Sequence, residues 1–271
     1  MRNDDFFEEL FLYDGCAACG NYKGEDSPIG RINVERMIAR LDEAFEKNDL
    51  EEAERVLDFW HREATSLADA RGELAVVSEE LGLYRKKSNR EKALAAVSRA
   101  LALIDALENE KTLSAATVLL NAATTMKAFG LAEEALPLYE RAYAVYASAL
   151  DEKDTRLAGY YNNYGLALAD LGRKEEAEKT FFAALSIMEK EEKGLLEAAV
   201  TYLNLAHLYE LWQDEKIYPA LIAAYKLLLS PKIERNGYFV FTLGKCIPSF
   251  RHFGLTDEEA VLSALLKGEV L

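Results

Sequence analysis

Residues 161–185 read YNNYGLALADLGRKEEAEKTFFAAL, and this stretch determines the fold that we predict for the chain. Gly172 breaks one helical segment and starts the next, because glycine readily takes the left-handed conformation that ends helices. A small residue, Ala177, follows five positions later, and the bulky Phe181 comes one turn further on. The stretch therefore predicts two helices joined by a tight turn.

The same arrangement recurs along the chain. Small residues early in each second helix are spaced 40, 42, 42, 43 and 40 residues apart: Ala53, Ala93, Ala135, Ala177, Ala220 and Ala260. A turn residue stands five positions before the alanine in most units, and six before it in the last: Asn48, Ser88, Gly130, Gly172 and Gly254. Such a period is typical of repeat proteins, and it predicts six helical hairpins from about residue 31 onward.

The individual helices have one apolar face. In residues 135–150 the apolar side chains follow the i, i+3, i+4 pattern of a helix that is buried on one side. Glu133 and Glu134 precede them in the first turn, where the helix dipole favours negative charge. The 50% apolar content and the five prolines in 271 residues agree with an all-α chain.

The charge balance restricts the partners. The formal net charge is −15, so the chain repels phosphate overall, and we expect neither nucleic acid nor an anionic membrane as a partner. Four acidic residues interrupt the first ten positions, where a secretion signal needs an apolar run. With three cysteines and no export signal, we expect a cytoplasmic protein without a disulfide framework.

These units resemble tetratricopeptide repeats, in the longer form seen in kinesin light chains, with a period of about 42 residues here. The resemblance rests on residues 161–185 and on residues 119–135, LLNAATTMKAFGLAEEA, with Gly165, Gly172, Ala177 and Phe181 at the family's positions. It implies a right-handed superhelical α-solenoid with units at about 31–70, 71–110, 111–152, 153–193, 194–233 and 234–271. It also implies a concave groove, formed by the first helix of each hairpin, that holds an extended or helical peptide.

Asparagine occupies a matching position in three consecutive units, as Asn121, Asn163 and Asn204. An amide carries both donors and an acceptor, so a ladder of amides can pair with the backbone of a bound peptide of any sequence. The alternative is that these amides bridge adjacent helices or face water. Other side chains that we predict on the same face are Thr124, Lys127, Asn162, Leu166 and His207.

Charges near the ends of the first helices differ between units. Arg85 and Lys127 lie there in the second and third units, whereas Asp170 and Glu210 take the matching places in the fourth and fifth. The groove would then have a basic and an acidic end that orient a peptide. The simpler alternative is that cations at a helix C-terminus are stabilised by the dipole.

The N-terminal 30 residues do not fit the repeat. An aromatic cluster that includes Phe6, Phe7 and Phe11 precedes a glycine-containing segment, and we interpret residues 1–30 as a cap or flexible segment. Cys16 and Cys19 supply only two of the roughly four ligands that zinc needs. We therefore expect no metal site and no cofactor.

The sequence indicates a function only through the class of fold that it predicts. The three histidines lie on different hairpins, none paired at ligand or triad spacing, and no catalytic motif is present, so we expect no enzyme activity. A non-enzymatic protein- or peptide-binding scaffold is the first hypothesis, and a peptide-sensing regulator of the bacterial tetratricopeptide type is the alternative. The apolar last helix, with Val261, Leu262 and Leu266, also suggests a homodimer through the terminal hairpin.

Overall fold

Twelve α-helices account for most of the chain in the computed structural model, which describes residues 30–190 and 192–269. Residues 1–29, including the aromatic cluster and the Cys16/Cys19 pair, lie outside the described residues. No strand occurs within the described ranges, so the prediction of an all-α fold is confirmed. The described residues form two compact units, an N-terminal unit of residues 30–149 and a C-terminal unit of residues 150–269.

Each unit contains six helices. The N-terminal unit comprises α1 (Val34–Glu46), α2 (Leu50–Ser66), α3 (Ala70–Lys86), α4 (Arg90–Ala106), α5 (Leu113–Ala128) and α6 (Ala132–Ala149). The C-terminal unit comprises α7 (Thr155–Asp170), α8 (Lys174–Met188), α9 (Leu195–Glu210), α10 (Ile217–Leu228), α11 (Gly237–His252) and α12 (Thr256–Leu266), with a 3₁₀ turn at Glu192–Gly194. The closest packing is within hairpins, as between α5 and α6 or α7 and α8. The predicted repeat boundaries stay predictions.

The hairpin turns share one backbone geometry. The five predicted turn residues all have positive φ angles, from 51° at Ser88 to 79° at Gly130. At Asn48 the amide donates to the Phe45 carbonyl (2.9 Å), and the next amide, of Asp49, donates to the Ala44 carbonyl (2.9 Å). This pair of bonds is the Schellman motif, which satisfies carbonyls at the end of α1. Asp49 then caps α2 by accepting from the Glu52 amide, so three residues both end one helix and begin the next.

The first helices of successive hairpins contact one another within each unit. In the N-terminal unit α3 contacts both α1 and α5, and in the C-terminal unit α9 contacts both α7 and α11. We call α7, α9 and α11 the first-helix row of the C-terminal unit. The row brings together residues about one repeat apart in sequence, and this property positions the sites described below.

Two details of the C-terminal unit differ from simple expectation. The connection between α9 and α10 spans six residues, 211–216, whereas the other five hairpin turns have three, so the repeat carries an insertion there. In addition, α11 runs continuously through Pro248. The missing proline N–H only removes the helical bond to the carbonyl of Gly244, four residues earlier.

Close packing inside the α7–α8 hairpin depends on the predicted family positions. Ala177 and Phe181 are completely buried. A Cβ atom added to Gly165 would lie 2.8 Å from Phe181 Cε1, so only glycine lets the ring approach α7 at this point. Gly159, one and a half turns earlier on the same helix, has open space around the corresponding position.

An ion pair between a buried carboxylate and an exposed arginine lies in the N-terminal unit. Glu73 of α3 accepts two hydrogen bonds from Arg99 of α4, with Nε–Oε1 and Nη2–Oε2 distances of 2.6 and 2.7 Å. These hydrogen bonds lower the pKa of Glu73. Glu80, which pairs with His61 Nδ1 at 2.8 Å, is also buried, and its desolvation raises the pKa of that carboxyl group.

None of the helices within residues 30–190 and 192–269 combines the length and the apolar character that a bilayer span requires.

Candidate peptide-binding site

Three buried asparagines occupy the first-helix row of the C-terminal unit. Asn162 and Asn163 belong to α7 and Asn204 belongs to α9. Their exposed fractions are 0, 1 and 2%, so all three amides are buried. We call these three residues the amide cluster.

One hydrogen bond of the amide cluster joins α7 to α9. Asn204 Nδ2 donates to Asn162 Oδ1 at 3.0 Å. The hydroxyl of Thr201, also on α9, lies 3.1 Å from the same oxygen. The predicted ladder named Asn163 and Asn204, whereas Asn204 bonds to Asn162, the neighbour of Asn163. The binding role of the ladder stays a prediction.

Part of the hydrogen-bonding capacity of the cluster is unused within the described chain. Asn162 Nδ2, Asn163 Oδ1 and Asn204 Oδ1 have no partner there, although each atom is buried. Asn163 Nδ2 donates to the Gly159 carbonyl at 3.0 Å, one turn back on its own helix. A buried polar group without a partner costs about 1–3 kcal/mol, so this arrangement is unusual for a purely structural feature.

The unused groups comprise one donor and two acceptors. A peptide backbone presents the complementary set, carbonyl oxygens that accept and N–H groups that donate. The prediction described these amides as part of an open groove wall, whereas the structure buries them. A ligand must therefore displace the side chains that cover the cluster before it can pair with these atoms.

Asn121, the predicted first rung of the ladder, lies in the N-terminal unit and has a different role in the structure. Its side chain is half-buried, and Nδ2 donates to Ser78 Oγ of α3 at 3.4 Å. This contact corresponds to the alternative in which an amide bridges adjacent helices. Thr124 is fully buried, and its hydroxyl lies 3.3 Å from the hydroxyl of Tyr139 on α6, so it faces the hairpin interior.

The remaining predicted residues are distributed over both units. Arg85 and Lys127, near the ends of α3 and α5, are 8 and 4% exposed, so both charged side chains are mostly covered. Leu166 on α7 is half-buried. His207 on α9 pairs with Ser249 Oγ of α11 through Nε2 at 3.1 Å. None of these observations tests a role in peptide binding.

The histidines are arranged differently from the sequence interpretation, which found none of them paired. The rings of His207 and His252 lie with centroids 5.7 Å apart, and both approach Glu210. The sequence contains a signal for these contacts, because Glu210 and His252 are 42 residues apart, about one repeat. His207 and Ser249 have the same spacing. Residues one repeat apart contact each other along the first-helix row.

Comparison with known proteins supports the fold. BtubC (BKLC) from P. vanneervenii is similar, with a TM-score of 0.63 and 22% identity over 75% of this chain and 85% of that chain. A putative kinesin light chain from Podosopora anserina with nearly identical TPR-like repeats has a TM-score of 0.51 and 16% identity over 72% of this chain and 94% of that chain. PilF from Pseudomonas aeruginosa has a TM-score of 0.50 and 18% identity over 86% of this chain and 90% of that chain.

These likenesses define the class of fold. The chain is an all-α repeat protein of the tetratricopeptide-like type, as its sequence predicted. No protein-family model and no curated protein sequence matches the chain.

Proposed function

We propose that the chain is a non-enzymatic scaffold that binds a peptide segment of a partner protein at the amide cluster of its C-terminal unit. The observation that supports this is a set of buried polar atoms that have no partner among the described residues, Asn162 Nδ2, Asn163 Oδ1 and Asn204 Oδ1. They lie on the first helices of their hairpins, the helices that form the binding surface in tetratricopeptide-type folds. A cytoplasmic location is part of this proposal.

The chemistry of the cluster favours recognition of the main chain over a particular side chain. Amides are neutral, and here both donor and acceptor groups are unused, so they suit alternating backbone N–H and C=O groups. In a buried site each such bond forms away from competing water. The net charge of −15 makes basic peptides better partners than acidic ones or nucleic acid, because long-range attraction speeds their encounter.

Selection from a random peptide library, followed by fluorescence anisotropy with the selected peptides, tests the proposal. The variant Asn163→Leu removes the unused acceptor while keeping the number and branching of the side-chain heavy atoms. The matched control is Asn236→Ser, which also removes an amide but preserves the N-cap of α11, where Asn236 accepts from the Phe239 amide at 3.0 Å.

We expect the peptide Kd to rise about tenfold in Asn163→Leu and to remain unchanged in Asn236→Ser. Circular dichroism establishes that both variants are equally helical. Equal binding by the two variants would show that the peptide binds at another surface and not at the amide cluster.

The burial of the cluster favours a second candidate function, a peptide-sensing regulator. Because the three amides are at most 2% exposed, a peptide can reach them only when the covering side chains move. A change of conformation would then accompany every binding event, as a sensor requires. Hydrogen exchange of α7 and α9 with and without a selected peptide distinguishes the two: a sensor shows changes that extend beyond these helices, and a plain scaffold shows local protection only.

Self-association through the terminal hairpin is a further proposal about partners. In α12, Val261 is 36% exposed, whereas Leu262 is completely buried and belongs to the core. The substitution that tests a dimer is therefore Val261→Glu. A dimer in light scattering that becomes monomeric in this variant supports the proposal, and a monomeric wild type ends it.

A further inference from the structure

A cluster of two histidines and one carboxylate lies between α9 and α11 of the C-terminal unit. His207 and Glu210 are three positions apart on α9, and His252 ends α11. Nitrogen or oxygen atoms of all three side chains lie within 4.8 Å of one another. We call this set the histidine cluster. It is separate from the amide cluster, where we propose that the peptide binds.

The distances leave room for an ion between His207 and Glu210. His207 Nδ1 lies 3.6 Å from Glu210 Oε2, beyond hydrogen-bonding distance. Tetrahedral ligands about 2.0–2.1 Å from a zinc ion are separated from each other by about 3.3 Å. His252 Nε2 lies 2.6 Å from Glu210 Oε1, so that contact would open slightly when an ion enters.

A neighbouring hydroxyl orients one of the rings. His207 Nε2 lies 3.1 Å from Ser249 Oγ. When Nε2–H donates to this oxygen, the lone pair of Nδ1 points toward Glu210, the geometry in which a metal-binding histidine is held by a partner outside the metal's own ligands. In that tautomer a cation between Nδ1 and the carboxylate oxygen would relieve the repulsion between their lone pairs.

Arg251 and Phe253 flank the histidine cluster. Arg251, the neighbour of His252, pairs with Glu259 at 2.6 Å. Phe253 contacts both rings, with centroid distances of 5.0 Å to His207 and 4.8 Å to His252. The aromatic ring packs against the two histidines, while the His252 and Glu210 side chains are each 42% exposed.

We propose that His207, Glu210 and His252 bind one divalent transition-metal ion, with zinc as the best match. Imidazole and carboxylate ligands suit Zn²⁺, and three protein ligands with a water at the fourth position is a common arrangement for it. The ion would tie the last hairpin to the preceding one, because its ligands come from α9 and α11. The proposal concerns metal binding alone and is independent of peptide recognition.

Isothermal titration with ZnCl₂ at neutral pH tests the proposal in a full-length Cys16→Ser, Cys19→Ser background, which removes the other sequence motif able to bind zinc. We expect one equivalent of zinc per chain and a zinc-dependent rise in the unfolding temperature. His252→Ala and Glu210→Gln should each weaken zinc binding at least tenfold.

The matched control is His61→Ala, because His61 also lies beside carboxylates, at 2.8 Å from Glu80 and 3.4 Å from Glu73. It should leave zinc binding unchanged. Absence of binding in the double-serine background would overturn the proposal, as would equal affinity in His252→Ala. Circular dichroism of the metal-free variants shows whether a loss of binding reflects a loss of fold, and His252→Gln replaces His252→Ala if it does.

Discussion

Asn204 donates a hydrogen bond to Asn162, a residue 42 positions earlier in the chain, at a distance of 3.0 Å. This bond crosses from α9 to α7 and sets the register of the first-helix row. The same spacing joins His207 to Ser249 and Glu210 to His252 between α9 and α11. The C-terminal unit therefore has recurring polar contacts between its hairpins, each of which joins residues about one repeat apart in sequence.

The Asn162–Asn204 pair should show strong energetic coupling. Truncation of one partner leaves the other amide buried with even fewer hydrogen bonds, so the two single losses should add to more than the loss in the double variant. We expect a coupling free energy of about 1 kcal/mol from Asn162→Ala, Asn204→Ala and their combination, measured by urea unfolding. Additive losses would show that the hydrogen bond contributes nothing to stability.

Two glycines of α7 provide a matched test of hairpin packing. Gly165→Ala should destabilise the protein by about 1–3 kcal/mol, because the new methyl group would overlap Phe181. Gly159→Ala should instead stabilise it by about 0.5–1 kcal/mol, since its Cβ position is open and alanine is the better helix former. Thermal unfolding of both variants measures the contrast, and equal effects would refute the packing explanation.

The Glu73–Arg99 pair predicts a pH-dependent contribution to stability. Arg99 lowers the pKa of Glu73 in the folded state, so the contribution is present above the ordinary value near 4.5 and is lost as the pH falls through the lower folded-state value. Glu73→Gln should therefore cost about 1–2 kcal/mol at pH 7 and much less in strong acid. Urea unfolding at pH values from strong acid to pH 7 tests this pH dependence. Glu176→Gln, which removes an exposed pair with Arg173, is the control and should have a smaller effect.

The leucine variant of Asn163 should separate stability from function. Its Oδ1 is buried and unpaired, and its Nδ2 bonds only to a carbonyl of the same helix. The substitution removes the desolvation cost of the unpaired oxygen, and the Gly159 carbonyl keeps its backbone bond within the helix. We expect Asn163→Leu to keep or raise the free energy of unfolding. A loss above about 1 kcal/mol would indicate that the amide is structural.

The sequence predicted the hairpins well because their signals are local. Gly172 and Ser88 stand where the chain must take a positive φ angle, and each such residue is followed by a helix start. Gly165, which leaves space for a ring, and Phe181, whose ring fills that space, likewise occupy facing positions that spacing alone identifies. Local turn chemistry and small-residue placement therefore determine this part of the fold.

The polar contacts between hairpins were harder to predict. The predicted ladder contains Asn163 and Asn204, whereas the hydrogen bond between the two hairpins joins Asn204 to Asn162. The contact between His207 and His252 depends on packing across one repeat, which spacing within a single helix does not reveal. Burial of the amide cluster depends on the packing of several helices, which no local pattern encodes.

The most direct test of the amide-cluster proposal uses a selected peptide in which one backbone N–H at a time is replaced by an ester oxygen. Against the wild-type protein, one such replacement should weaken binding about five- to tenfold, because it removes the donor that pairs with Asn163 Oδ1. Against Asn163→Leu the same replacement should have no effect. If every ester lowers affinity equally for both proteins, Asn163 does not bind the peptide backbone and the account is contradicted.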